Sequence, residues 1–149
     1  MKTAICYYSR HHGNTLKVLE AMAQGNDIDL IDVTARMAVH LEEYDCIGFA
    51  SGIYYSKFQK SVLDFAGQYL PEGKDVFFVY TCGSMGKGYT KAIAGAVAAK
   101  GAHILGEYGC RGFDTFGPFK LVGGIAKGHP NGDDLQKAKD FYQSICRER

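Results

Sequence analysis

The 149-residue sequence has no apolar run approaching the ~20 residues that a bilayer-crossing helix requires. Its N-terminus, "MKTAICYYSR", has a short apolar stretch but neither the longer apolar centre nor the small-residue cleavage site of a secretory signal. A cytoplasmic protein with no membrane insertion is therefore expected. An excess of charge of one sign is also lacking. The formal net charge is +1, and the basic residues are scattered apart from a small cluster at the end, so nothing electrostatic points to nucleic acid or an anionic membrane. The five cysteines, Cys6, Cys46, Cys82, Cys110 and Cys146, are odd in number and show neither C-x-x-C nor zinc-ligand spacing. That argues against a disulfide framework or a metal centre and for reduced thiols. Cys6 and Cys46 sit inside apolar runs and read as small buried hydrophobes. Linkers and internal repeats are absent as well, so a single domain spanning 1–149 is expected.

What is present alternates. Residues 2–8 read as a strand, and 14–24 as a helix with Asn14 as N-cap and Gly25-Asn26 as its stop. "DIDLIDV", 27–33, alternates as a strand near a sheet edge would, and 34–43 is at most a weak helix. "DCIGFASGI", 45–53, is apolar almost throughout, as suits a strand buried on both faces of a parallel sheet. A helix over 57–69 follows, with Phe58, Val62, Phe65 and Tyr69 on one face, then a turn at 71–74 and a strand over 75–81. A helix near 88–100 closed by Gly101, a strand over 102–110, a long Gly- and Phe-rich connection, and a helix over 133–147 complete the chain. Strict alternation predicts an α/β fold: a three-layer sandwich with a five-stranded parallel sheet of order 2-1-3-4-5 and helices on both faces.

In such a sheet ligands bind at the carboxyl ends of the strands, where the strand order reverses. That selects three loops, Ser9 to Thr15, Ser51 to Lys57 and Cys82 to Tyr89. All are rich in Gly and hydroxyl residues, which admit close backbone approach and supply neutral donors. The first, "YSRHHGNT", ends at a helix N-terminus, a place suited to a phosphate. Tyr54, Tyr55 and Tyr89 in the other two can flank a flat ring. Together they suggest a phosphorylated planar heterocycle. Other α/β readings fail on specifics. "GSMGKG" has the wrong spacing for a P-loop, and no G-x-G-x-x-G follows the first strand. No acidic cluster of receiver type stands at the strand ends, and Arg10 follows Cys6 too soon for a low-molecular-weight phosphatase.

Ser9, Gly13, Asn14 and Thr15 resemble the phosphate loop of the flavodoxin family, a Ser or Thr, a short spacer and then Gly-x-Thr, with the spacer one residue longer here. "SGIYY" and "TCGSMGKGY" resemble that family's two flavin-ring loops, and the closing "GHPNGDDLQKAKDFYQSI" its last helix. The resemblance covers essentially the whole chain. It implies a flavodoxin-like fold and a tightly, non-covalently held FMN. It further implies that Ser9, Asn14 and Thr15 bond the phosphate, with the backbone of 10–15, including Arg10, His11, His12 and Gly13, around it. Ser51, Gly52 and Ile53 lead into the loop whose Tyr54 or Tyr55 lies along the ring. Thr81, Cys82, Gly83, Ser84, Gly88 and Tyr89 make up the other ring loop, Gly83, Ser84 and Tyr89 meeting the ring edge or its other face. No metal and no catalytic side chain is implied.

The expected role is an electron-transfer flavodoxin that cycles one or two electrons with a redox partner protein. An FMN-dependent oxidoreductase acting on a small molecule such as a quinone or porphyrinogen is the alternative. Carriers of this family are typically acidic around the flavin, whereas the ring loops here carry Lys57, Lys60, Lys87 and Lys91 with Asp64 the nearest acid in sequence. That charge should make the reduced flavin easier to form, and it favours a negative partner or substrate. The 111–132 connection, with Phe113, Phe116 and Phe119, either covers the ligand or forms a partner surface, or else packs into the core, which is the reading preferred here.

Overall fold

The computed structural model describes residues 1–10, 12–35, 37–115, 121 and 123–148. Five strands, β1 (Thr3–Tyr8), β2 (Ile28–Asp32), β3 (Cys46–Tyr54), β5 (Asp75–Cys82) and β6 (His103–Arg111), form a parallel sheet in the order β2-β1-β3-β5-β6. Counting these strands alone, that is the expected 2-1-3-4-5. A sixth, two-residue strand, β4 (Lys57–Phe58), folds back antiparallel on the end of β3. Helices α1 (Asn14–Ala23) and α4 (Gly132–Glu148) cover one face, and α2 (Lys60–Tyr69) and α3 (Lys91–Ala98) the other.

Side-chain alternation explains the two cores. Along β5, Val76, Phe78 and Tyr80 pack under α2 and α3, while Phe77 and Val79 pack under α1 and α4. The apolar run of β3 serves both faces: Ile47 and Phe49 join the first cluster, Cys46 and Ala50 the second. On the α4 side the Thr3 and Tyr142 hydroxyls satisfy each other in a buried hydrogen bond of 2.7 Å. The N-terminus of α4 carries a reciprocal cap. Asn131 Oδ1 accepts from the Asp134 amide, and Asp134 Oδ2 accepts from the Asn131 amide.

Four expectations are corrected. The weak helix at 34–43 reduces to a single 3-10 turn, Leu41–Glu43, because Leu41 alone gives that segment a buried anchor. Helix α2 starts at Lys60, and Phe58 reaches the core from β4, paired with Ile53; an extended residue there mimics a helical spacing in the sequence. Helix α3 starts at Lys91, after a turn through Gly88 at φ 78°. The N-cap of α1 is Gly13 in the left-handed conformation, not Asn14. All five cysteines are free thiols, and Cys6 and Cys46 are fully buried. Among the described residues no helix is long and apolar enough to cross a membrane, and no group of three or more His, Cys, Asp and Glu could hold a metal.

Gly48 lies on β3 beside Phe77, and a Cβ there would come within 2.6 Å of the ring. Phe77 is itself held by the Phe141 and Tyr142 rings, with centroids at 6.1 and 6.0 Å. Gly48→Ala is expected to cost about 1–3 kcal/mol of stability by overpacking. In urea this reads as a lower midpoint at unchanged slope; an unmoved midpoint would show that the ring can withdraw.

Candidate functional site

The carboxyl ends of β1, β3, β5 and β6 open into one cleft. Arg10, Asn14 and Thr15 line it from the first loop, Gly52, Ile53 and Tyr54 from the end of β3, and Thr81, Cys82 and Gly83 from the end of β5. Gly112, Phe113 and Asp114 close it from the end of β6. The enclosed volume is about 40 Å³. That admits a small polar group.

The first loop is shaped by its backbone. His12 and Gly13 both have φ 66°, two left-handed residues in succession, and no side chain caps α1. Ser9 Oγ accepts from the Leu16 amide at 3.2 Å, which closes the loop on itself. A non-glycine residue in that conformation needs support from its surroundings. His12 has it: its ring stacks on Phe113 at 4.4 Å, and its Nε2 meets Thr115 Oγ1 at 3.1 Å. His12 is thus tied to the β6 loop. His11 lies outside the described residues, as do Phe116 and Phe119.

Two buried polar residues hold the floor. Thr15 and Thr81 share a hydroxyl hydrogen bond of 2.8 Å that joins α1 to β5. Asn14 donates from Nδ2 to the Phe113 carbonyl at 2.7 Å, while its Oδ1 is buried with no partner among the described residues. Such an orphaned acceptor costs roughly 1–3 kcal/mol unless a ligand or water satisfies it. Two glycines allow the close approach of the β6 loop. A Cβ on Gly112 would fall 2.6 Å from Asn14 Nδ2, and one on Gly83 would fall 2.8 Å from the Asp114 carboxylate.

Arg10 stands at the rim. Its guanidinium donates to the Ser9 carbonyl at 2.8 Å and to Thr34 Oγ1 at 3.0 Å, lies 3.6 Å from Asp32, and covers the Tyr8 ring at 4.9 Å. Tyr8 in turn meets Tyr54 edge-on at 6.0 Å. Burial pushes the Tyr54 phenol up to about 12, Tyr8 and Asp114 adding to the shift and Arg10 opposing it. Burial likewise pushes the Cys82 thiol up to about 11. Both groups stay neutral near pH 7, so the ring side of the cleft offers protonated O–H and S–H groups.

The remaining expected residues stand apart from the cleft lining. Ser51 Oγ is engaged within the β3–β4 hairpin, donating to the Gly52 carbonyl at 2.5 Å and accepting from the Gln59 amide at 3.0 Å. Tyr55 is exposed and lines two neighbouring surface grooves. Tyr89 donates to the Ser84 carbonyl at 2.9 Å and packs edge-on against Tyr80, beside Gly88 in the same loop. Sequence reasoning left out Gly112, Phe113 and Asp114, although the end of β6 obeys the same strand-end rule. The signal available was the glycine directly after that strand. Phe113 belongs to neither core cluster, contrary to the preferred reading, because the His12 ring gives it a partner at the cleft.

A family model described as the flavodoxin domain matches residues 4–97. An uncharacterized protein of Methanocaldococcus jannaschii is 39% identical over 149 residues, covering 99% of each chain. Among solved structures, a flavodoxin from the domain Archaea superposes with a TM-score of 0.73 at 21% identity, over 99% of this chain and 98% of that one. A Fusobacterium nucleatum flavodoxin bound to flavin mononucleotide gives 0.68 at 14% identity, over 99% of both chains.

Asp32 positions Arg10, and its protonation has a readable consequence. Burial raises its pKa, but hydrogen bonds from the Thr34 hydroxyl and amide and the charge of the Arg10 guanidinium outweigh that and hold the carboxyl below the usual range. A depressed folded-state pKa stabilises fully above the unfolded value of about 3.9, and the contribution is lost as pH falls through the lower folded value. Urea midpoints should therefore drop between about pH 5 and pH 2, with a smaller drop in Asp32→Asn. Equal drops in both proteins would remove Asp32 from the account.

Proposed function

We propose that this chain, which belongs to the flavodoxin family, binds FMN non-covalently in the cleft at the strand ends and carries electrons to a redox partner. The observation that carries the reading is the state of Asn14. Its donor is engaged by Phe113 and its acceptor is left over. A phosphate dianion has no proton to give that acceptor; a sugar-alcohol hydroxyl has. The ligand that fits therefore brings an anionic end for the first loop and hydroxyls for Asn14, and a phosphorylated ribityl chain has both.

In this reading the backbone N–H groups of 10–15, the Ser9 and Thr15 hydroxyls and the Arg10 guanidinium would hold the phosphate. Asn14 Oδ1 would accept from the ribityl chain. Tyr54 would receive the flat ring, with Gly83 and Cys82 also in the cleft lining. When bound, FMN supplies the uptake and release of one or two electrons. The protein's part is to fix the cofactor, to keep protonated groups near the ring and to set the local charge. Of the four lysines of the ring loops, Lys60 is paired with Asp64 at 2.8 Å, so the positive field comes from Lys57, Lys87 and Lys91. A positive field favours reduction, which separates this site from an acidic one.

Carrier activity is favoured over turnover of a small molecule because the length and the three loops of the chain resemble those of short-chain flavodoxins, and an archaeal flavodoxin superposes over 99% of this chain and 98% of its own. The test is a titration of FMN with the apoprotein, followed by flavin fluorescence. Saturable quenching is expected at micromolar concentrations or below, with riboflavin bound at least about tenfold more weakly for want of the phosphate. Arg10→Gln should weaken FMN and leave riboflavin unchanged. Asn14→Leu should weaken both, because its contact is with the shared hydroxyl chain. Absence of quenching by FMN, or equal affinity for the two flavins, would end this reading. Rapid steady-state NAD(P)H oxidation with a quinone acceptor would favour the oxidoreductase over the carrier.

A further inference from the structure

The β3–β4 hairpin turns through Tyr55 and Ser56, with φ 51° and 65°. Two successive left-handed residues make the turn that matches the twist of paired strands, and Asn-Gly is its usual sequence. A tyrosine in the first position is strained there, because its Cβ crowds the backbone. The strain does not serve the core, since Tyr55 is 83% exposed. It holds an aromatic ring out from the surface, immediately after the Tyr54 that lines the cleft.

Beside that ring runs a groove of about 450 Å³, with Tyr55, Ser56 and Lys57 on one wall and Gly88, Lys91, Ala92 and Gly95 on the other. Small residues leave its α3 side low. Lys87 is exposed just before Gly88, and Met85, 47% exposed, extends the apolar area in the same loop. Among the described residues Lys57, Lys87 and Lys91 make no ion pair. Asp64 is bound to Lys60, and Glu107 and Asp114 lie within ion-pair distance of none of the three lysines. A chain of net charge +1 thus brings Lys57 and Lys91 to one groove beside an exposed tyrosine, with Lys87 next to it in the chain.

We propose that this groove is the docking surface for an acidic electron-carrier protein, whose carboxylates meet Lys57, Lys87 and Lys91 and whose surface settles around Tyr55. The proposal rests on the carrier reading above and names its partner class. An exposed tyrosine ringed by flexible charges has the make-up of a protein interface, an aromatic anchor inside a polar rim. A small anion would instead need a rigid cradle of donors, which long lysines on two separate loops do not form. Rim lysines act chiefly on encounter rate and on the choice of partner, so the attraction must weaken with salt.

The test measures binding of the apo and the FMN-loaded chain to two probes, an acidic [2Fe–2S] ferredoxin and a basic c-type cytochrome. The ferredoxin is expected to bind more tightly, and to weaken roughly tenfold or more as salt rises from about 0.02 to about 0.3 M. The combined variant Lys57→Glu, Lys87→Glu, Lys91→Glu should lose the ferredoxin and gain the cytochrome in the apo chain as well as in the FMN-loaded one. Tyr55→Asn relieves the left-handed strain, so it should raise the melting temperature and yet weaken ferredoxin binding, a pair of opposite changes that a purely structural tyrosine would not give. Preference of the wild-type chain for the cytochrome, or ferredoxin binding unaffected by the lysine reversals, would overturn the proposal. Failure of FMN binding is read separately from flavin fluorescence and leaves the apo-chain comparison valid.

Discussion

Strand β1 passes its chain to α1 on one face of the sheet, while its neighbour β3 passes its chain through β4 to α2 on the other. No connection can then bridge the carboxyl ends of these two strands, and a crevice between them is unavoidable. The rest of the site follows from that constraint. The start of α1 and the end of β3 must face each other across the gap. The β5 and β6 loops are the remaining segments that can close it. The glycines at 83 and 112 are there because the closing loops pass within contact distance of side chains already in place.

A crevice of this kind exposes backbone and polar side chains that water would otherwise fill, and the protein pairs all but one of the buried ones. Thr15 and Thr81 satisfy each other, and Asn14 satisfies the Phe113 carbonyl. Asn14 Oδ1 is the buried side-chain N or O atom without a partner among the described residues. It belongs to a residue of the cleft floor, where the Thr15 and Thr81 hydroxyls beside it are paired with each other. Tyr54 and Cys82, kept protonated by burial, add neutral groups and no charge to the cleft wall.

The fold was legible because periodicity and burial agree in it. The run from Cys46 to Ala50 is apolar throughout because both its faces are covered, and that continuity distinguishes a central parallel strand from an edge. The places where sequence misled are those where tertiary contacts reuse a familiar spacing. Phe58 stands four residues before Val62, as on a helix, yet reaches the core through a strand pair. Asn14 has the composition of an N-cap, but Gly13 takes the cap conformation and frees Asn14 to cross to the β6 loop. At 112–114 the strand-end rule and Gly112 pointed to the cleft, but the contact that fixes the loop there, between His12 and Phe113, joins residues 101 positions apart and has no local pattern. Ser51 shows the converse. Its hydroxyl was expected to face a ligand, but the hairpin takes it for the Gln59 amide.

That hairpin gathers strain and function in one place. Tyr55 and Ser56 occupy positions that Asn and Gly would fill without cost, and neither side chain returns the energy by burial. The geometry of this turn therefore costs more than the one Asn-Gly would make. Tyr54 and Lys57 are the cross-strand pair that closes the turn; Tyr54 lines the cleft and Lys57 lines the basic groove. Moving the turn by one residue would break that pairing and turn both side chains to the other face. The left-handed pair therefore holds a cleft residue and a groove residue in one register. On the carrier reading proposed above, that register keeps the path between the cofactor and the partner's docking face short, which hydrophobic packing alone would not enforce.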